Sequence, residues 1–157
     1  MALIRVEVEI VASPALCFDL ARSVDVHVAS AKASGERAVA GVTTGLLNLG
    51  DEVTWRGRHF GVMQELTSRI TALDRPRHFR DEMVRGTFTR LIHDHYFDQT
   101  PAGTRMRDVF DFTAPWGVLG RLAERLLLTN YLRRFLEERA QVLKGLAESG
   151  EGQRFIS

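Results

Sequence analysis

The chain has a single cysteine, Cys17, in 157 residues. No intrachain disulfide can form, and this usage suits a cytoplasmic compartment. Prolines number four and none follows Pro115, so the C-terminal part is free to run as unbroken helix. No apolar run approaches the ~20 residues that span a bilayer, and the N-terminus lacks a signal-peptide pattern. Charge of one sign is missing too: 21 Lys and Arg face 20 Asp and Glu, for a net charge of +1. A nucleic-acid module would show a concentrated basic surface. Neither a Walker nor a dinucleotide fingerprint occurs, and Gly41, Gly45 and Gly50 read as turn punctuation.

What is present is an ordinary globular composition, 45% hydrophobic and 26% charged, in a chain long enough to bury a core as one domain. We expect that domain over residues 1–149, with 150–157 as a flexible tail. Ile4, Val6, Val8 and Ile10 alternate with Arg5, Glu7 and Glu9, the period of a half-buried strand. Ser13-Pro14 then caps a short helix to about Arg22, and a second short helix follows near 24–29. Strands are expected at 36–41, 52–58, 61–73, 77–85, 87–99 and 104–113. The long closing helix runs from Trp116 to about Ala147, roughly 45 Å at 1.5 Å per residue.

That helix carries two apolar stripes. Leu128, Leu132, Phe135, Leu136, Val142, Leu143 and Leu146 lie on one face. Leu119, Leu122, Ala123 and Leu126 lie nearly opposite, which implies a kink around 127–130 or a second covered face. The early stripe leaves open a homo-oligomer contact through Leu119, Leu122 and Leu126, a peripheral membrane contact, or packing on the short helices. Arg133, Arg134, Glu137, Glu138 and Arg139 read as a solvated face. His59 reads as solvent-facing near a hairpin tip, and His27 and His78 as histidines without arranged partners.

The hairpin before the helix sets its own register. With a turn at 100–103, His95 faces Asp108, His93 faces Phe110, Phe97 faces Met106 and Leu91 faces Phe112. Asp98–Arg105 and Tyr96–Arg107 take the solvated face. His93, His95 and Asp108 then point inward among apolar neighbours, and a one-residue slip would turn them all out. The preceding strand brings Asp81 beside His93. Two carboxylate–imidazole pairs result, Asp81 with His93 and Asp108 with His95. Buried charges are costly unless paired, so three readings stay open: a structural polar network, a ligand-anchoring group, or general acid–base chemistry with a histidine as base. Histidines two apart on one strand face could also share a zinc ion, with Asp108 as third ligand. Because both imidazoles already have carboxylate mates, we expect neither metal nor cofactor.

One strand, two short helices, six strands and a long helix is the helix-grip order, and local segments agree with it. They are Ser13-Pro14-Ala15-Leu16-Cys17-Phe18, Gly50-Asp51-Glu52-Val53-Thr54-Trp55, Phe79-Arg80-Asp81-Glu82-Met83 and His93-Asp94-His95-Tyr96-Phe97, then Thr104-Arg105-Met106-Arg107-Asp108 and Pro115-Trp116-Gly117. Over nearly its whole length the chain resembles the START-like (SRPBCC) superfamily, which includes the major birch pollen allergen and bacterial polyketide cyclases. The resemblance implies an α+β fold, a seven-stranded antiparallel curved sheet gripping the C-terminal helix around a cavity for apolar ligands. Carriers, cyclases and sensors share it, so fold alone does not fix function.

The expected function is binding of a small hydrophobic or amphipathic molecule (lipid, polyketide, isoprenoid or quinone-like). Trp55, Met83, Phe97, Met106, Phe110 and Leu132 would line the apolar part, and Asp81, His93, His95 and Asp108 the polar end. A cyclase- or dehydratase-type enzyme using those four residues, and a protein-interaction module, are the alternatives.

Overall fold

The computed structural model describes residues 2–115, 117, 118, 122 and 127–157. Strand β1 (Ala2–Ile10) leads into helices α1 (Pro14–Ala21) and α2 (Val24–Ser30). Strands β2 (Arg37–Gly41), β3 (Glu52–His59), β4 (Val62–Asp74), β5 (His78–Arg85), β6 (Arg90–Thr100) and β7 (Gly103–Thr113) follow. Helix α3 (Thr129–Ser149) and a short 3-10 helix (Glu151–Phe155) complete the described elements. All seven strands join one sheet in the order β1-β7-β6-β5-β4-β3-β2, each neighbouring pair antiparallel. The first strand closes against the last by a long return, while the others are consecutive hairpins.

Local chemistry explains the early elements. Ile4, Val6 and Ile10 are buried along β1 while the charged residues between them face out. Ser13 Oγ accepts from the Leu16 N–H at 3.2 Å, and Pro14 takes the first helical position, where its missing N–H costs nothing. Ser23 caps α2 in the same way through the Val26 N–H. At the β6–β7 turn a Cβ on Gly103 would stand 2.3 Å from the Ile10 carbonyl oxygen, so only glycine lets β7 run this close to the end of β1.

Helix α3 packs along β1 and against α1 and α2. It buries Leu132, Leu136, Ala140, Leu143 and Ala147, and each leucine contributes about 1.5–3 kcal/mol by leaving water. One feature of the expected helix differs. Val142 is exposed, its place on the stripe taken by Ala140 and Leu143. The described helix spans Thr129–Ser149; Trp116, Leu119, Ala123 and Leu126 lie outside the described residues, as does most of the segment that would carry the early stripe. Leu122 is exposed, with Val118 and Leu127. The expected loose tail instead folds back: the 3-10 turn buries Gly152 against Leu20, and Phe155 and Ile156 pack on the core. Among the described residues no helix is long and apolar enough to cross a membrane.

Candidate functional site

The β6–β7 ladder has the register expected from its pattern, with His95 opposite Asp108, His93 opposite Phe110 and Phe97 opposite Met106. Asp81 on β5 stands opposite His93. The side chains, however, do not form two separate pairs. His95 bridges both carboxylates, with Nε2 2.9 Å from Asp81 Oδ2 and Nδ1 2.9 Å from Asp108 Oδ1. His93 reaches Asp108 Oδ1 through Nε2 at 3.2 Å and stands 3.9 Å from Asp81 through Nδ1. Asp81 therefore bonds the diagonal histidine rather than the one across the ladder, because diagonal neighbours on a twisted sheet lie within reach of side chains this long.

Packing fixes the rings. Phe79 stacks on His95 with centroids 4.1 Å apart, the two imidazoles lie 3.8 Å apart, and Phe110 meets His93 edge-on at 5.1 Å. Burial disfavours charge on His95, but the hydrogen bonds with Asp108 and Asp81 and their negative charge outweigh it and push its pKa up to about 9. His93 goes the other way: burial, then the neighbouring His95 charge, hold it below the ordinary histidine value against the pull of Asp108 and Asp81. Burial would raise both carboxylates, yet their histidine partners hold them below the usual carboxylate range. The network thus carries His95 as imidazolium, His93 neutral and both aspartates ionised.

A second polar chain lies on the same inner surface. Glu36, just before β2, has Oε1 2.9 Å from His27 Nε2 and Oε2 3.2 Å from His59 Nε2. The other nitrogen of His59 lies 2.6 Å from the Tyr131 hydroxyl on α3. His27 stacks on Trp55 at 3.7 Å. Glu36 can pass the β3 strand only because residue 57 is glycine, where a Cβ would fall 2.5 Å from the Glu36 Cγ. Burial and then the Arg139 charge press His27 down to about 4, against the opposing pull of Glu36. Burial would raise Glu36, but its two histidines hold it well below the carboxylate range.

Between the sheet and the start of α3 lies a cavity of about 220 Å³. Trp55, Leu66, Leu91, Phe110, Leu132 and Phe135 form much of its apolar wall. His27, Glu36, His59, Asp81, His93, Tyr131 and Arg139 bring polar atoms to it. Of the residues expected at the site, Trp55, Asp81, His93, Phe110 and Leu132 border this space. His95, Met106 and Asp108 line a void of about 20 Å³ beneath α1 and α2.

Phe97 and Met83 line neither. Phe97 is covered by α1, packing edge-on against Phe18 at 5.4 Å, because α1 rather than α3 covers the turn end of β6 and β7. Met83 lies over Gly86 beside Leu66 at the β5 end.

Three expectations from sequence need correction. His59 faces inward: Val53, Trp55, Gly57 and His59 share one face of β3 by strict alternation, a signal present in the pattern. Arg139 is no part of a solvated face. It stands three residues after Leu136 and seven after Leu132, on the buried side of α3, and borders the cavity. His27 and His78 both have partners, His27 in Glu36 and His78 in Asp94 at 2.6 Å, where Arg80 adds two further bonds on the outer face. Nothing in the sequence pointed to Glu36, which lies outside any strand and meets both histidines only through the tertiary fold.

The architecture recurs in solved structures. A protein from Thermus thermophilus superposes with a TM-score of 0.78 at 17% identity, over 95% of this chain and 99% of its own. A protein of unknown function from Staphylococcus aureus gives 0.72 at 10% identity, covering 96% of this chain and 95% of its own. Ginseng major latex-like protein 151 from Panax ginseng gives 0.67 at 16%, covering 93% of this chain and 97% of its own. At these identities the likeness is one of fold, and the fold is START-like, the helix-grip architecture. No protein-family model matches the chain, and no curated protein matches it in sequence.

Proposed function

We propose that the protein binds a small hydrophobic or amphipathic molecule (lipid, polyketide, isoprenoid or quinone-like) in the cavity between the sheet and α3. One observation carries this reading: a chamber of about 220 Å³ with a mostly apolar wall, into which Tyr131, His59, Arg139 and Asp81 bring polar atoms. Ligand sites combine apolar lining with a few convergent polar groups in this way. The volume lies just under the usual ~300–1,000 Å³, which suits a compact ring or short chain better than a two-chain lipid. Such a ligand would set its apolar body against Trp55, Leu91, Phe110 and Leu132 and turn an oxygen toward the polar groups. The single, buried Cys17 fits a cytoplasmic setting for this role.

The test is native mass spectrometry of protein purified without denaturation. A co-purifying apolar compound, lost on replacing Leu132 with Trp, supports the reading. An empty protein that also fails to take up compact apolar probes sinks it.

A second reading has its own observation. His93 is held below the ordinary histidine value by burial and by His95, borders the cavity and is oriented by Asp108, which suits a general base in a cyclase- or dehydratase-type reaction. It requires turnover of a cavity-bound carbonyl compound that His93→Gln abolishes without loss of binding.

A further inference from the structure

The four residues on β5, β6 and β7 have a geometry that neither reading uses. Asp108 Oδ1 lies within hydrogen-bond distance of His93 Nε2, at 3.2 Å, and of His95 Nδ1, at 2.9 Å. Each ring therefore directs its remaining nitrogen away from Asp108, and both of those nitrogens face Asp81. His95 Nε2 is 2.9 Å and His93 Nδ1 3.9 Å from Asp81 Oδ2. One carboxylate orients both imidazoles from behind; a second stands where their remaining nitrogens converge.

We propose that Asp81, His93 and His95 form a binding site for one divalent transition-metal ion, with Asp108 as the carboxylate that orients both histidines.

The donor set selects the class of ion. Two imidazole nitrogens and one carboxylate oxygen suit zinc, cobalt or iron(II), whereas magnesium and calcium prefer all-oxygen sites. A metal-binding histidine characteristically gives its second ring nitrogen to a carboxylate or carbonyl, and here a single aspartate serves both. The three donor atoms lie within 4.8 Å of one another. Metal–ligand bonds of about 2.0–2.1 Å need donors roughly 3.3 Å apart, so shifts of about 1 Å shared among the side chains close the site.

There is room for the ion. Asp81, His93 and His95 together border a void of about 50 Å³, enough for an ion and a bound water. The carboxylate of Asp81, with Glu36 nearby, feels the charge of Arg139, the single permanent cation at that void among the described residues. A bound ion takes the place of the proton on His95. Asp81 and His93 also border the larger cavity, so a coordination position left open by the protein faces it.

The other histidine cluster does not offer this arrangement. Each Glu36 oxygen is taken by a different histidine, and no second carboxylate lies behind His27 and His59 among the described contacts. The proposal does not depend on the apolar-ligand reading, and holds even if the cavity proves empty.

The experiment strips the full-length protein with a chelator and titrates it with Zn²⁺ and Co²⁺. Metal content after dialysis, the visible Co²⁺ spectrum and the ¹⁵N resonances of the histidine rings are followed. One ion per chain is expected, with a low-coordinate cobalt band and shifts confined to His93 and His95. Mg²⁺ and Ca²⁺ should produce none of this. Asp81→Asn should lower zinc affinity at least a hundredfold, and Asp108→Asn about 10–100-fold. His78→Ala, on the outer face, should leave affinity unchanged. Failure of the wild-type protein to take up either ion stoichiometrically overturns the proposal, whatever the variants do. So does uptake that leaves the His93 and His95 resonances in place, or that Asp81→Asn does not weaken.

Discussion

The Tyr131 hydroxyl, on the first turn of α3, lies 2.6 Å from Nδ1 of His59, at the last residue of β3. The helix that closes the cavity is thereby tied to the hairpin on its far side. Phe60 reinforces the tie, its ring centroid 4.4 Å from that of Tyr131, while remaining largely exposed. Replacing Tyr131 with Phe keeps the ring contact and removes the bond, which should cost about 1 kcal/mol. Stopped-flow release of a fluorescent apolar probe should quicken severalfold with little change in melting temperature. Unchanged release would show that the hydroxyl does not hold the cavity shut.

Asp108 should be the most sensitive position of the histidine network. Alanine there leaves the His95 imidazolium buried with one carboxylate instead of two, and removes the acceptor of His93. Loss of one partner from a buried ion pair costs about 3–5 kcal/mol. Urea denaturation of Asp108→Ala should show a loss of this order, and Asp108→Asn a smaller one. A loss below about 1 kcal/mol would mean that water enters the site freely.

Acid should weaken the protein before its carboxylates titrate. His27 is held down to about 4 by burial and by Arg139, against Glu36 and Asp81. An unfolded chain binds a proton there near pH 6.5 that the folded protein refuses until about pH 4, so stability falls as pH drops through that window. His93, also held below its ordinary value by burial and His95, adds to the same slope. The melting temperature should decline between these limits, and His27→Gln should flatten the decline. An equal slope in that variant would assign it to other groups.

Two substitutions separate the cavity wall from the core behind it. Leu132→Trp projects from α3 into the cavity and should weaken binding of an apolar probe at least tenfold. Phe97→Ala, under α1, should cost about 3–5 kcal/mol and leave probe affinity nearly unchanged. Calorimetry and probe titration on both variants give the answer. Weakened binding in stable Phe97→Ala protein would extend the site toward α1.

Periodicity carried much of this molecule. The alternation of Leu91, His93, His95 and Phe97 against Asp108, Phe110 and Phe112 set the β6–β7 register, because a slip would have exposed every apolar partner. The same reasoning placed Asp81 opposite His93. It could not say which histidine Asp81 would bond, since that is decided by rotamers and sheet twist.

His59 and Arg139 each have the correct spacing for the inner face, although a nearby hairpin tip suggests solvent for the first and a run of charged residues suggests it for the second. Phe97 shows the converse error. Its parity was correct, but parity cannot tell which helix covers a given stretch of sheet. Glu36 lies beyond local pattern altogether.

The glycine at 57 has a meaning beyond the passage it gives Glu36. A side chain at 57 would have to occupy the path of that carboxylate, and withdrawing the carboxylate would take from His27 its partner and leave His59 with Tyr131 alone. Positions 36 and 57, twenty-one residues apart in the chain, are therefore coupled in one direction: a side chain can enter at 57 only if the one at 36 gives way.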